Sequence, residues 1–429
     1  MLPSPKRLLR LLSIGTALLP AMVALSACGQ MYEAPQTMFS RQGSSSSEIL
    51  SLYNIFFWAA VAVFVVVEGA LVYSVFRYRR RPEDGIPVQL HGNQPIEILW
   101  TIAPAVLVLF LATMTFRTQS VLVAPSQDPV RVRVVGHQWW WEFQYPDYNI
   151  VTANELHIPE NRDIEFALES VDVVHAFWFP RLGGKTDVVP GHTNRLNFRA
   201  FPTGEPVLIR GECAEFCGGT HAQMAMWAVV EPQASFDAWV RQQQAEAPLP
   251  AGITQAAAEG TATAGTATAG TTATAGAAAG EAATAGTAAA GETATAGTDT
   301  PGPNEDTDTS GETAPTIPAP ATAEAAPLAQ GAGIEARGYQ LFQTKGCVGC
   351  HAIAGFPEAQ GRIGPDLTHV GSRQHIVAGW LENTPDNMRR WLRDPNEVKP
   401  DNYMGAVVKR GYLNEDEIEA LTAYLESLK

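Results

Sequence analysis

The sequence predicts a multidomain chain: a two-helix transmembrane hairpin, a β-sandwich, a disordered Ala/Thr/Gly linker and a small all-α domain. Three observations carry that expectation. Two apolar stretches of membrane-spanning length end before Ala124. Short β-type runs crowd residues 130–231, whereas helical periodicity returns only after Gly331. Between these regions lies a low-complexity tract. At 429 residues the chain has room for two or three domains.

The N-terminus, "MLPSPKRLLRLLSIGTALLPAMVALSAC", sets Lys6, Arg7 and Arg10 before a run of small and aliphatic residues. Residues 1–27 therefore read as an export signal. The stretch Leu25-Ser26-Ala27-Cys28 resembles the lipobox of bacterial lipoproteins, which implies cleavage before Cys28 and lipidation of its thiol. An ordinary signal peptide with a chance cysteine is the plainer reading. An external segment follows over 28–48, then a hairpin over 49–123.

Residues 49–76 exceed the roughly 20 apolar residues that a spanning helix needs. Arg77, Arg79, Arg80 and Arg81 follow at once and mark that end as cytoplasmic. A second span over 96–116 returns the chain, so everything after Ala124 faces the external or periplasmic side of a bacterial cell membrane. Glu68 lies within the first span, where a carboxylate is costly. It has a functional role, faces a partner subunit, or sits shallow enough to reach water.

The net charge of −15 overstates the acidity of the folded parts, because nine acidic residues and no Lys or Arg fall within 252–330. A mildly acidic remainder argues against nucleic acid as a partner. Residues 244–330, with their approximate "TATAG" repeats, lack the apolar bulk to offset ordering entropy and read as a disordered tether. About 80 such residues have a root-mean-square span of about 50 Å.

The β-type runs "VRVRVVGHQWWWEFQY", "DIEFALES", "NRLNFRA", "EPVLIRG" and "MWAVVEP" alternate with Pro and Gly turns, as in a β-sandwich over 124–243. Within it, "GECAEFCGGTHAQM" (211–224) gathers soft donors. Cys213, Cys217 and His221 are four apart, as on a helix, but Gly211, Gly218 and Gly219 favour a tight loop. A disulfide is the ordinary fate of exported cysteines, yet it leaves His221 and Met224 unexplained. Thiolate, imidazole and thioether are copper donors. A second thiolate permits a pair of copper ions bridged by both sulfurs, and His175 of "DVVHAFWFP" is the candidate upstream imidazole.

"VVHAFWFP" followed by Cys213-x-Glu215-x-Cys217-x3-His221-x2-Met224 resembles the dinuclear copper centre, CuA, of cytochrome c oxidase subunit II. "GHQWWWEFQYP" and the hairpin's "EILWTIAPA" resemble that family too, so the likeness covers roughly 49–239. It implies a cupredoxin-like Greek-key sandwich. It also implies His175, Cys213, Cys217, His221, Met224 and the Glu215 carbonyl as copper ligands. Met226, the rival thioether, has the wrong spacing for the family and reads as core. By the same resemblance the Glu215 side chain reaches a magnesium ion at the catalytic-subunit interface. Trp139 becomes the electron-accepting tryptophan, and Glu97 a carboxylate at a proton-uptake entrance. The plainer readings are a buried aromatic for Trp139 and a helix-start acid for Glu97.

"CVGCH" sets Cys347 and Cys350 for thioether links to a haem, with His351 beneath the iron. No second C-x2-C pair exists to complete a zinc site, and all five cysteines are then allocated. Residues 331–429 resemble a class I cytochrome c in the helix before that motif, in "GPDL" (364–367) and in the closing helix. That helix starts at Asn414 with Glu417 three residues on, and carries Ile418, Leu421, Leu425 and Leu428 on one face. The resemblance implies Met404 of "KPDNYMGAVV" as the second axial ligand, a His/Met pair that raises the haem potential. Gly405 stands where the family usually has proline. Met388, in the "DNMRRWL" helix, reads as core, and the other six histidines as structural or surface groups.

These resemblances imply subunit II of a proton-translocating haem-copper cytochrome c oxidase. It would pass electrons from its own haem c, or from cytochrome c or another soluble donor, through CuA to catalytic subunit I. The other expected partners are further oxidase subunits and membrane lipid. Two alternatives stand beside this: the electron-accepting subunit of a CuA-type nitric oxide reductase, and a membrane-anchored carrier without catalytic partners.

Overall fold

The computed structural model describes residues 34–80, 85–86, 89, 91–126, 128–251, 253 and 333–429. The expected export signal, Cys28, Arg81 and most of the expected tether lie outside them.

The two spans are helices α1 (Ser44–Arg77) and α2 (Gln94–Leu122), each longer than its apolar run. Polar caps extend them: Asn93 accepts the Ile96 amide at the start of α2, and the Ser46 hydroxyl donates to the Arg181 carbonyl at the start of α1. Most of their apolar side chains face outward, as lipid-facing helices require. Glu68 lines a groove between the spans with Phe64, Leu107 and Leu111.

The sandwich consists of two five-stranded sheets. One contains β1 (Val130–His137), β2 (Trp140–Tyr145), β3 (Ile150–Ala153), β5 (Asp163–Ser170) and β8 (Asn194–Arg199), in the order β3-β2-β1-β5-β8. The other contains β4 (Glu155–Pro159), β6 (His175–Trp178), β7 (Thr186–Val188), β9 (Val207–Cys213) and β10 (Ala225–Glu231), in the order β4-β10-β9-β6-β7. Alternation along β5 buries Ile164, Phe166 and Leu168 against Phe177 and Phe179 of the facing sheet. Met226 is fully buried in this core. Strands β3, β4 and β7 were not legible beforehand, being three to five residues long, and neither was α3 (Gln233–Gln243), which packs Phe236 on Trp239 and Tyr148.

The C-terminal domain is built on the crossing of α4 (Ile334–Thr344) and α8 (Glu415–Ser427). Asn414 caps α8 by accepting the Glu417 amide at 3.0 Å, and the Glu417 carboxylate accepts the Asn414 amide in return. Tyr339, Phe342 and Tyr424 fill the crossing edge-on. Helices α5 (Pro385–Arg393), α6 (Pro395–Val398) and α7 (Tyr403–Val407) complete the domain. Residues at the start of the expected linker lie along it, with the Ala247 amide donating to the Ala354 carbonyl at 3.3 Å.

Gly338 lets α4 approach the Ala420 carbonyl of α8 so closely that a Cβ there has no room. Gly338→Ala is expected to destabilise the C-terminal domain by about 1–3 kcal/mol. Urea unfolding of the full chain in detergent, followed by hydrogen exchange in α4 and α8, checks it.

Candidate functional site

His175 opens β6, Cys213 closes β9, and the two strands pair in register at Phe177 and Cys213. The loop after β9 is irregular until a single 3₁₀ turn (His221–Gln223), which excludes one continuous helix through Cys213, Cys217 and His221. Gly218 takes φ +112°, a conformation that permits the turn behind Cys217. The Cys213 amide donates to the Met224 carbonyl at 2.9 Å and ties the two ends of the loop together.

Five side chains converge. The Cys213 and Cys217 sulfurs are free thiols 3.7 Å apart, far beyond the roughly 2 Å of a disulfide. His175 Nδ1 lies 3.8 Å from Cys213 Sγ, His221 Nδ1 3.5 Å from Cys217 Sγ, and Met224 Sδ 3.7 Å from Cys217 Sγ. The Glu215 carbonyl oxygen is 3.2 Å from Cys213 Sγ. Donors sharing one ion at about 2.0–2.3 Å in tetrahedral array lie roughly 3.5 Å apart, so this spacing suits metal coordination. Apart from the metal, the cluster is electrostatically incomplete. The Cys217 contact lowers the Cys213 thiol, while the same contact and burial drive Cys217 up, so one thiol ionises readily and the second resists. A cation between them removes that resistance.

Asp172 sets the His175 ring. Its carboxylate accepts from His175 Nε2 at 2.8 Å, so Nε2 carries the proton and Nδ1 presents its lone pair to the sulfurs. Burial acts to raise Asp172, but hydrogen bonds from His175 and from the Gln138 and Val173 amides outweigh it and hold the carboxyl low. Gly136 leaves space for the ring: a Cβ there would meet His175 Cδ2 at 2.8 Å.

The second site lies in the C-terminal domain, where Cys347, Cys350, His351 and Met404 line one apolar cavity. His351 Nδ1 donates to the Pro365 carbonyl at 2.8 Å, which leaves Nε2 unprotonated, as an axial ligand of a haem iron must be. Burial lowers the imidazole pKa and keeps it neutral. Met388 lines the same cavity but is buried in the core beside Leu392. Gly405 donates its amide to the Asn402 side chain at 2.8 Å, a bond proline could not make, and its carbonyl accepts from Asn396 at 2.9 Å. This network braces the Met404 loop in place of proline. The residues fit a covalently held haem.

The two sites share an interface. The Trp139 indole stacks on Tyr403 with ring centroids 5.4 Å apart, and its Nε1 donates to the Cys217 carbonyl at 2.9 Å. Lys399, buried, donates to the Trp139 carbonyl at 2.6 Å, and burial pushes its pKa down to about 7. Glu155, also buried, accepts the Gln374 and His375 amides at 2.7 and 2.8 Å, while His375 stacks on Trp227. His375 thus belongs to the domain interface. Glu215 is exposed on the loop that follows β9. Glu97 lies in the first turn of α2, where its carboxylate accepts the Asn93 amide at 3.1 Å, a capping contact. Pro365 lies in the "GPDL" stretch read from sequence, whereas Asp172, Lys399 and Tyr403 were not singled out, although an acid three residues before a candidate ligand histidine is a readable signal.

Three family models match the chain. Cytochrome c oxidase subunit II, transmembrane domain, matches residues 34–118; cytochrome c oxidase subunit II, periplasmic domain, matches 150–231; and cytochrome c matches 335–429. Cytochrome c oxidase subunit 2 of Alkalihalophilus pseudofirmus is 30% identical over 374 residues, covering 86% of this chain and 83% of that protein. Cytochrome c oxidase subunit 2 of Bacillus sp. strain PS3 is 33% identical over 367 residues, covering 82% and 80%. The solved periplasmic domain of subunit II of the cytochrome oxidase of Bradyrhizobium japonicum is 28% identical, covers 29% of this chain and 97% of that one, and superposes with a TM-score of 0.27.

Asp172→Ala releases the His175 ring without removing a donor. It is expected to weaken copper binding by about 10–100-fold, measured by titration against a competing chelator.

Proposed function

Because the chain belongs to the cytochrome c oxidase subunit II family and carries a C-terminal cytochrome c domain, we propose that it passes electrons from its own haem c to a dinuclear copper centre and on to the catalytic subunit of a haem-copper oxidase. It is a two-pass protein of the bacterial membrane, with the sandwich on the periplasmic side. The observation that carries the reading is the pair of free thiols at 3.7 Å, flanked by two imidazoles and a thioether.

When bound, the copper pair supplies a one-electron acceptor of low reorganisation and the haem iron a one-electron donor. The chain's residues do the rest. Cys213 and Cys217 would supply the thiolates that hold the copper pair, with His175, His221 and Met224 as the other side-chain donors and the Glu215 carbonyl beside Cys213. Asp172 keeps Nδ1 of His175 free of a proton. Cys347 and Cys350 would anchor the haem covalently, and His351 and Met404 would supply the ligands to its iron. Trp139 is the electron's point of entry toward the copper, at the face that the C-terminal domain covers.

Three further assignments extend this reading. Glu215 offers its exposed carboxylate to a magnesium ion shared with the catalytic subunit. Glu97, at the loop end of α2, stands at a proton-uptake entrance, and Cys28 carries lipid. A soluble cytochrome c is the external donor.

Purification of the complex from membranes, with its haem types and donor-driven oxygen consumption recorded, tests the whole reading; haem c alone with no oxygen uptake rejects it. Cys217→Ser is expected to leave a single copper ion per chain and abolish the mixed-valence paramagnetic spectrum. Met404→Leu is expected to lower the haem c potential, as followed by redox titration of its absorbance.

A further inference from the structure

We propose that Tyr403 is the bridging ring by which the C-terminal domain delivers its electron to Trp139, so that the haem domain reduces the copper site from a docked position. This inference rests on the functional reading above and adds a residue and a route to it.

Tyr403 precedes Met404, the residue assigned to the haem iron, by one peptide bond. Its ring lies on the Trp139 indole at 5.4 Å with an interplanar angle of 26°, the offset stacking that aromatic pairs favour. Beyond the indole, Trp139 Nε1 and Gln138 Nε2 both donate to the Cys217 carbonyl, at 2.9 and 2.8 Å. Cys217 bears one of the two thiols. A continuous path therefore runs from Met404 through two stacked rings and one hydrogen bond to Cys217. Its only through-space step is the ring contact.

The surroundings hold that contact in place. The Tyr403 hydroxyl donates to Gln138 Oε1 at 3.0 Å, which fixes the phenol to the residue beside Trp139. Lys399, four residues before Tyr403, clamps the Trp139 carbonyl, and Gln223 donates to the Val398 carbonyl at 3.2 Å. These bonds join residues up to 265 positions apart. The electron count is simple: ferrous haem loses one electron, the copper pair gains it, and neither ring changes oxidation or protonation state.

The test uses the intact oxidase complex. Haem c is reduced by a laser-flash photoreductant, and electron arrival at copper is followed optically. Hydrogen exchange over residues 137–141 and 396–404 is recorded on the same samples. Tyr403→Leu is expected to slow haem-to-copper transfer by about tenfold or more, with both metal spectra and both exchange profiles unchanged. Tyr403→Phe, which keeps the ring, is expected to transfer within a few-fold of wild type. Wild-type transfer in Tyr403→Leu overturns the proposal. So does slowed transfer accompanied by faster exchange in both segments, because Tyr403 would then serve docking alone. Wild-type complex that shows no haem-to-copper transfer at all defeats the functional reading itself, and is thereby told apart from failure of the bridge.

Discussion

Two sulfurs held within 4 Å but not bonded impose the main demand on this chain, since two buried thiols so close cannot both ionise without a compensating cation. The sandwich meets the geometric half of that demand. Cys213 sits at the end of a strand, tied through its amide to Met224 and paired across to β6, which brings His175 alongside. Cys217 hangs from the glycine-rich loop with its carbonyl held by Trp139 and Gln138. The electrostatic half falls to the metal. Because the donors are already gathered, a bound cation would displace the Cys217 proton with little movement of the scaffold, the rigidity that the proposed one-electron exchange requires.

The same carbonyl of Cys217 links the copper loop to the second domain. Its two donors, Trp139 and Gln138, are the residues on which Tyr403 lies. Around this apolar contact the interface buries two groups that are normally charged, Lys399 and Glu155, each with main-chain partners in the other domain. Buried charge contributes little net affinity, but an unmatched one is costly. Such an interface favours one register strongly without needing great strength. A domain joined by a long linker needs that selectivity, because the linker supplies the effective concentration and leaves orientation open.

The legibility of these features follows their range along the chain. Cys213, Cys217, His221 and Met224 are readable because their donors fall within twelve residues, and "CVGCH" because its three groups fall within five. The hairpin is readable because its apolar runs are long enough to span a bilayer, and the closing helix because its apolar face is periodic. Short strands such as β7 are not, since three residues carry no period. Tyr403 and Lys399 stood next to a recognised methionine, yet their partners lie in the sandwich, 260 or more residues away. The low-complexity tract separates those partners and carries no information about what its ends bring together. Asp172 is an intermediate case: local enough to see, but meaningful only once the ring nitrogen facing the sulfurs is known.

On the proposed function, the membrane hairpin also sets where the electron would go next. Helix α1 does not merely precede the sandwich. The hydroxyls of Ser45 and Ser46 bond to the Asn197 and Arg181 carbonyls, and the Gln42 amide bonds to the Arg181 carbonyl. The first turn of the span is thus part of the sandwich's own hydrogen-bonded surface, and rotation of one against the other would break several bonds at once. With the sandwich fixed over the hairpin and the haem domain covering Trp139, the copper loop keeps a separate exposed face at Glu215 and Phe216, the latter 76% exposed beside His221. On the proposed route, electron arrival and departure would occupy different sides of one small loop. That separation would let a docked donor remain in place while an acceptor subunit stays bound.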